Sequence, residues 1–522
     1  MPHTHIHRSR PHARYAKRAL SAAFAALMLC GALLASSCSN GGSNTATTNG
    51  AANGDTTAAL TTAGDTSAVQ LKPNVPVVDY QGYNFRISDR SQQWNGGVHW
   101  VPRDIIAESE TGDPINDAVY KRNTYIEDTY NIKISEVPST NMAADIAKSV
   151  KAGGNDFDII EAGPGSDEAA LAQQGILLDL KTLPNLELTM PWWDQNANAQ
   201  LSIQGHLYFT TSNLAIIDKD ATWVVLFDKK LLQDYGLDDP YQLVANNQWT
   251  MQKMFDMSKV AVKDLNGDGV MDDTDQWGLD TQYDGTTHFF NAGGQLIASK
   301  DSSDTPQITT LDDPNAANVL DLAYQIQTAP STINVDAAQW TKKFPNNTVW
   351  DTMQVPMFAA DRALFYMTGM NRVTLLRSMQ TDFGILPDPK YDSSQADYHV
   401  PVDMWCATAL AIPRTASDID RTTIITEALT AESQYTLLPA YYDISLKTQL
   451  ARDTQSGAMM DLIFANRCYD IGRLYNWGSL AGTMDALASQ ASNNFASKYA
   501  SMQKAAQTAL AKTIAEFNQY AG

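Results

Sequence analysis

The stretch "DPINDAVYKRNTYIEDTYNIKISEV", residues 113–137, decides the fold class, because a helix pattern passes directly into a strand pattern. Asp113 suits a helix N-cap, and Pro114 suits the first helical turn. Ile115 and Val119 recur at helical spacing on one side of the segment. The closing "IKISEV" alternates apolar and polar residues, as a half-buried strand does. The stretch therefore predicts a helix followed by a strand.

The same alternation extends on both sides of this stretch. A strand pattern, "YNFRISD" (83–89), precedes it, and a helix pattern, "MAADIAKSVKAGG" (142–154), follows it. "FDIIEAG" (157–163) is then typical of a buried strand. Strands that alternate with helices indicate a parallel α/β sheet. Because the rhythm resumes after "PWWDQ" (191–195) and strands return late, we expect two α/β lobes joined by several crossings.

The first 37 residues read as an export signal. All five of their charged side chains are Lys or Arg, and an apolar run from Ala19 to Leu34 follows. Small residues then lead to Cys38, as in a bacterial lipobox, although Ala35 stands where Leu is usual. We expect Cys38 to be lipidated with palmitate, with residues 38–75 as a disordered tether rich in Ser, Thr, Gly and Asn. A plain cleaved signal or an uncleaved anchor are the alternatives.

Composition limits the partners of the folded part. The chain has 522 residues, 44% of them hydrophobic, and a formal net charge of -21. So acidic a protein repels nucleic acid and anionic lipid. We expect no nucleic-acid partner, contact with the membrane through the lipid anchor only, and a monomer. A neutral or cationic small ligand is easier to accept than an anionic one.

The segment "DLNGDGVMDDTD", residues 264–275, has the oxygen-ligand spacing of an EF-hand-type calcium loop. Gly269 fits the sharp turn, and the final ligand is Asp where Glu is usual. With no second loop to pair with, it predicts a structural Ca²⁺ site, and an Asx turn without metal is the alternative. The predicted ligands are Asp264, Asn266, Asp268, Val270, Asp272 and Asp275.

Tryptophans in polar contexts are the best sequence candidates for ligand contacts. Indole rings stack on sugar faces, and neighbouring Asp, Asn and Gln bind hydroxyl groups. Three acidic residues join them: one follows the predicted strand at the "GPGS" turn, where open α/β sheets bind ligands, and two lie at the expected junction of the lobes. The predicted ligand-binding residues are Trp94, Trp100, Asp167, Asp218, Asp220, Trp223 and Trp405. Buried tryptophans, a helix-dipole carboxylate and solvated turns are the alternative interpretations.

No enzyme motif stands out. The sequence has no G-x-S-x-G, no H-E-x-x-H and no phosphate loop. The four histidines outside the signal are dispersed, so no metal-ligand spacing arises. Carboxylate pairs for glycoside hydrolysis depend on spatial distance and stay open. Whether Cys406 and Cys468 pair also stays open, and we predict no catalytic residues.

Several segments together resemble bacterial extracellular solute-binding proteins of ABC importers, in particular the sugar-binding branch called family 1. They are "GYNFRIS", "NDAVYKRNTYIEDTYNIKI", "GGNDFDII", "PWWDQ", "DPYQLVANNQWT", "DLNGDGVMDDTDQWGL", "FGILPDPKYDSSQADYHV" and "LPAYYDISLKTQLARD". The resemblance runs from about residue 77 to 477. It implies a type II periplasmic-binding-protein fold, in which two α/β lobes joined by hinge strands trap a ligand.

The resemblance also implies a function and a division of the chain. We expect residues 76–215 to form the first part of lobe 1 and residues 216–355 to form lobe 2. Residues 356–522 are expected to return to both lobes and add C-terminal helices. The expected function is capture of a carbohydrate, an oligosaccharide above all, and its delivery to an ABC permease at the outer face of the cell membrane. The alternatives are a secreted glycoside hydrolase, or a binding protein for a peptide or other solute.

Overall fold

Two mixed five-stranded sheets organise the protein. The computed structural model describes residues 70–94, 98–335, 338–344, 349–442 and 455–520. The export signal, Cys38 and most of the predicted tether lie outside these residues. The strands are β1 (Tyr83–Arg90), β2 (Ile132–Ser139), β3 (Ile159–Ala162), β4 (Phe209–Thr210), β5 (Trp223–Asp228), β6 (Trp277–Thr281), β7 (Ala298–Lys300), β8 (Pro306–Ile308), β9 (Thr332–Asn334), β10 (Ala363–Gly369), β11 (Phe383–Leu386), β12 (Val400–Pro401), β13 (Ala409–Ala411) and β14 (Arg467–Cys468).

Helices surround both sheets. They are α1 (Pro114–Tyr130), α2 (Met142–Lys151), α3 (Ala169–Gln173), α4 (Gln195–Gln200), α5 (Ile217–Asp220), α6 (Lys229–Asp234), α7 (Pro240–Ala245), α8 (Met251–Val260), α9 (Gly285–Ala292), α10 (Ala316–Gln327), α11 (Ala338–Lys343), α12 (Val355–Ala359), α13 (Arg372–Leu375), α14 (Ile419–Ser433), α15 (Leu437–Pro439), α16 (Gln455–Ala465), α17 (Ile471–Tyr475), α18 (Leu480–Ser489) and α19 (Phe495–Tyr520). Within the described ranges, none is both long and apolar enough to cross a membrane.

The first sheet has the strand order β2-β1-β3-β13-β4. The first three strands are parallel, as the sequence predicts. The Asp113 carboxylate accepts hydrogen bonds from the N–H groups of Ile115 and Asn116, and Pro114 is the first helical residue. The predicted N-terminus of α1 is therefore confirmed. α1 and α14 cover this sheet, where Phe85 and Ile87 are fully buried.

The second sheet has the order β11-β5-β10-β6-β9. β6 runs parallel to β9 and β10, whereas β5 runs antiparallel to both its neighbours. Every residue of β5 and of β10 is buried, because both faces of this sheet are covered. Apolar runs such as "TWVVLFD" (222–228) and "ALFYMT" (363–368) predict the strands β5 and β10. They do not predict that the two pair antiparallel, because strand direction depends on crossings far apart in sequence.

Two neighbouring segments connect the sheets. One carries the chain from β4 to β5, and the other returns it from β11 to β13, which inserts between β3 and β4. The segments touch where the Asp403 N–H donates to the Ala221 carbonyl oxygen at 2.9 Å and where Thr222 and Val402 form a β-bridge. The expected fold of two α/β lobes joined by hinge strands is confirmed.

Two local predictions differ from the structure. The segment "GPGSDEAALAQQG" (163–175) predicts a helix capped by Ser166, but Ser166 does not cap a helix. It lies within a wide turn, residues 164–168, and donates its hydroxyl hydrogen to Asp167 at 2.5 Å. The sequence predicts a last helix from about Ala491 to Tyr520. The helix begins instead at Phe495, and Ala491 adopts a positive φ of 47°.

Candidate functional site

Loops that follow parallel strands of both sheets meet between the lobes. β1 and β3 end in the first sheet, and β6 and β10 end in the second. The segment after β1 reaches the second lobe, because a Cβ at Gly369, the last residue of β10, would lie 3.1 Å from the Trp100 ring. His99 Nε2 also lies 3.2 Å from an Asp351 oxygen. Carboxyl ends of strands are where open α/β sheets bind ligands, so this junction is the candidate site.

Arg90, the last residue of β1, holds the loops of the first lobe and the returning segment together. Its side chain is fully buried. The guanidinium donates to the carbonyl oxygens of Trp405 at 3.0 Å and Ala407 at 2.9 Å, and it lies 4.1 Å from the centre of the Trp94 ring. A longer contact of 3.4 Å reaches the Trp100 carbonyl oxygen. Three of the four predicted tryptophans thus surround one buried cation.

Two aromatic side chains near Asp403 are open to solvent. Trp405 is 60% exposed and Tyr283, which follows β6, is 42% exposed. The Asp403 carboxylate interacts with both residues. It accepts a hydrogen bond from the Trp405 N–H at 2.9 Å. The negative charge of Asp284, burial and the negative charge of Asp403 together raise the pKa of the Tyr283 phenol. An exposed indole beside fixed polar groups is an arrangement that binds sugar faces.

Asp167 and Asp220 lie close to this junction, where each has protein partners. Asp167 accepts hydrogen bonds from the Ala143 N–H at 3.1 Å and from the neighbouring hydroxyl of Ser166. Asp220 is fully buried and accepts from Arg103 Nη1 and the Tyr441 hydroxyl, both at 2.9 Å. Both carboxylates are therefore engaged by protein groups, and Asp220 positions the Arg103 and Tyr441 side chains.

Asp218 and Trp223 have buried surroundings of their own. Asp218 pairs with Lys219 and with Arg467, beside a cavity of about 270 Å³ that also contacts Asp194. Trp223 is 2% exposed on β5 and stacks on His288 with 3.7 Å between ring centres. Burial and the Arg473 cation lower the pKa of His288 to about 4, so this imidazole is neutral at physiological pH.

A second cavity, of about 290 Å³, opens between the segment after β1 and the segment after β10. Polar and basic side chains line it: Gln92, His99, Arg103, Asn371, Thr374 and Arg377. Asn371 is 5% exposed, and neither its Oδ1 nor its Nδ2 has a hydrogen-bond partner in the part of the chain that the structure describes. Unsatisfied buried amides are rare and costly, so the side chain is available to a ligand.

Sequence reasoning missed Arg90, Asn371, Arg103 and Tyr283. Arg90, Asn371 and Tyr283 each stand at the end of a strand or within two residues of it. A position just after a strand is the reason for predicting Asp167 as a ligand-binding residue, and the same criterion applies to these three residues. The contacts of Arg90 gave no local signal, because its carbonyl partners lie more than 300 residues further along the chain.

The predicted calcium loop is a compact acidic turn. Asp264 accepts from the N–H groups of Gly267 and Gly269, and both glycines have positive φ, 75° and 79°. Asp275 is fully buried and accepts from the N–H groups of Leu265 and Asp272. Across the described ranges, no group of three His, Cys, Asp or Glu is placed to hold a metal ion. Calcium binding therefore stays a prediction from the spacing.

The two cysteines of the folded part are both free thiols. Cys468 is buried and Cys406 is half-buried. Burial raises the pKa of each thiol, so neither behaves as a reactive thiolate.

Solved structures of similar fold are binding proteins. An ABC transporter solute-binding protein from Thermotoga lettingae TMO, bound with alpha-D-tagatose, is 13% identical with a TM-score of 0.51, covering 83% of this chain and 100% of that one. A substrate-binding protein from Listeria monocytogenes, in complex with cycloalternan, is 10% identical with a TM-score of 0.51, covering 83% and 98%. A cyclo/maltodextrin-binding protein complexed with maltotetraose is 12% identical with a TM-score of 0.51, covering 84% and 98%. These likenesses establish the fold.

Sequence comparison identifies the family. No curated protein sequence matches the chain. The family description "bacterial extracellular solute-binding protein" matches residues 109–369, which is half of the chain and includes most of both sheets. The chain belongs to the family of bacterial extracellular solute-binding proteins.

Proposed function

We propose that the protein captures a carbohydrate, an oligosaccharide in particular, between its two lobes and delivers it to an ABC permease. The observation that carries this proposal is the junction of strand-end loops around Arg90. There the Trp405 ring is exposed, and the Asp403 carboxylate accepts a hydrogen bond from the Trp405 N–H. An aromatic face combined with fixed hydrogen-bonding groups suits the alternating apolar and hydroxylated surfaces of a sugar.

The ligands of similar proteins favour the same class. The three similar structures are described with tagatose, cycloalternan and maltotetraose. All three ligands are saccharides. A site with a neutral aromatic face is compatible with that class.

Two carboxylates near the junction, those of Asp220 and Asp351, are held by protein partners, which fits binding and release without a covalent step. Asp220 is held by Arg103 and Tyr441. Asp351 contacts His99 and Arg372, and these contacts lower its pKa although partial burial opposes them. A glycoside hydrolase needs one carboxyl group that is free to donate a proton and another that is free to attack or to activate water. We therefore assign no catalytic residue.

We further propose that the protein is anchored to the outer face of the cell membrane through a lipid on Cys38. Support comes from the basic and apolar signal and from the small residues before Cys38. The polar tether that follows would let the binding lobes move near the permease. We also propose a structural Ca²⁺ ion in residues 264–275, supported by the ligand spacing alone.

A panel of saccharides and peptides tests the proposed function by thermal shift and calorimetry. We expect at least one saccharide to raise the Tm and to be recovered unchanged. Stabilisation by a peptide with no effect of any saccharide would contradict the ligand class. Release of reducing sugar from a polysaccharide would contradict the absence of enzymatic activity.

A further inference from the structure

The cavity of about 290 Å³ between the lobes differs in charge from the rest of the protein. The whole chain has a formal net charge of -21, yet among the residues that the structure describes no carboxylate lines this cavity. Three basic side chains do: His99, Arg103 and Arg377. Such a local reversal of charge favours an anionic group on the ligand, contrary to the expectation from overall composition.

Two carboxylates just outside the lining neutralise part of this charge. Asp220 accepts from Arg103 Nη1 at 2.9 Å, and Asp351 contacts both His99 and Arg372. Arg377 remains, because its Nε donates to the Thr374 carbonyl oxygen at 3.0 Å and no carboxylate of the described residues pairs with it. Arg377 is therefore the basic side chain of the lining that has no carboxylate partner among the described residues.

Asn371 adds a requirement that a simple anion does not meet. Its buried amide offers a donor, Nδ2, and an acceptor, Oδ1, and both lack a partner among the described residues. A sulfate ion, or the dianion of a phosphate monoester, supplies acceptors only. A hydroxyl group next to a carboxylate supplies a donor for Oδ1 and acceptors for Nδ2 and the arginines.

The size of the cavity limits what it holds. A volume of about 290 Å³ lies at the lower end of the range for small-molecule pockets, about 300–1,000 Å³. The space suits one sugar unit, with the remaining units of a chain extending along the junction. Val101, Pro102 and Leu375 also line the cavity and supply an apolar wall.

We propose that this cavity binds the carboxylate and an adjacent hydroxyl of an acidic sugar unit, so that the ligand is a uronic-acid-containing saccharide. Arg377 and Arg103 bind the carboxylate, and Asn371 bridges the carboxylate and the hydroxyl. This inference rests on the proposed saccharide-binding function and names the substrate class within it.

The test is calorimetry of the full chain with three matched sets of trisaccharides. The sets contain the trisaccharides of galacturonic, glucuronic and mannuronic acid, their methyl esters, and the neutral trisaccharides of galactose, glucose and mannose. We expect at least one acid to bind more than tenfold tighter than its ester and its neutral counterpart. We also expect this preference to shrink at 1 M NaCl, because salt screens the Arg377 charge.

Variants assign the preference to the cavity. Arg377→Gln is expected to reduce the preference for acid over ester to less than threefold, and Arg377→Lys to restore part of it. Asn371→Leu is expected to weaken the acid at least tenfold. Lys512→Gln removes one exposed positive charge on α19 and should leave all affinities unchanged.

The outcomes separate the two proposals. Tight binding of a neutral trisaccharide with no gain for any acid would overturn the acidic-sugar inference and leave the proposed function standing. An acid preference that survives Arg377→Gln and Asn371→Leu would overturn the assignment to this cavity. Failure of all nine trisaccharides to bind would overturn both the inference and the saccharide-binding function.

Discussion

Replacing Trp405 by alanine should weaken saccharide binding without weakening the fold. Trp405 is 60% exposed. With about 250 Å² as the full area of a tryptophan, the open part is about 150 Å². If a sugar face covers about half of it, burial at about 25 cal/mol per Å² contributes about 2 kcal/mol. The expected result is a roughly 30-fold increase in Kd.

Calorimetry with the tightest-binding trisaccharide measures this change, and urea unfolding checks the fold. Because the side chain is mostly exposed, the free energy of unfolding should change by less than about 0.5 kcal/mol. Tyr125→Ala is the matched control, since Tyr125 is 53% exposed on α1, away from the junction. An unchanged Kd for Trp405→Ala, with intact unfolding, would refute the stacking role of this ring.

The remaining predictions concern stability. Burial raises the pKa of Asp280 and of Asp388 to about 8 in the folded protein, from 3.8, so the stability they contribute is fully present below pH 3.8 and is lost as pH rises through about 8. Urea unfolding at pH 5 and pH 8 should therefore show a lower free energy of unfolding at pH 8, by up to about 1.4 kcal/mol per pH unit for each group. Asp388→Asn should reduce this dependence of stability on pH. Equal stability of the wild type at both pH values would contradict the raised pKa values of Asp280 and Asp388. Calcium should raise the Tm of the wild type and not that of Asp264→Ala, and equal melting curves with calcium and with a chelator would remove the metal proposal. Arg90→Gln leaves buried carbonyl groups with fewer donors and should cost about 3 kcal/mol, whereas a loss below about 1 kcal/mol in urea unfolding would show that Arg90 does not hold the junction together.

Local sequence signals predicted the elements whose causes are local. Asp113 and Pro114 start α1, as expected. Thr250 precedes the helix pattern "MQKMFDMSKV" (251–260) and caps α8 by accepting from the Lys253 N–H. The alternation in residues 83–137 placed β1, α1 and β2 within two residues of their observed bounds. Helix and strand propensity, capping and hydrophobic periodicity act over a few residues, so elements that depend on them can be predicted from the sequence.

The arrangement of the site depends on contacts that sequence alone does not display. Trp223 begins the apolar run "WVVLF" (223–227) and also follows a polar segment, and only the packing against His288 decides that it is buried. Trp405 has an equally mixed context and is exposed. The insertion of β13 between β3 and β4 joins residues about 200 to 250 positions apart. Such pairings determine which loops meet at Arg90.

The most direct test of capture between the lobes is a crystal structure of the protein with its tightest-binding trisaccharide. The ligand should lie between the segments after β1 and β10, with one ring against Trp405 and one unit within reach of Asn371. A saccharide found in the cavity beside Arg467 and Asp194, or on the outer surface of either lobe, would contradict it.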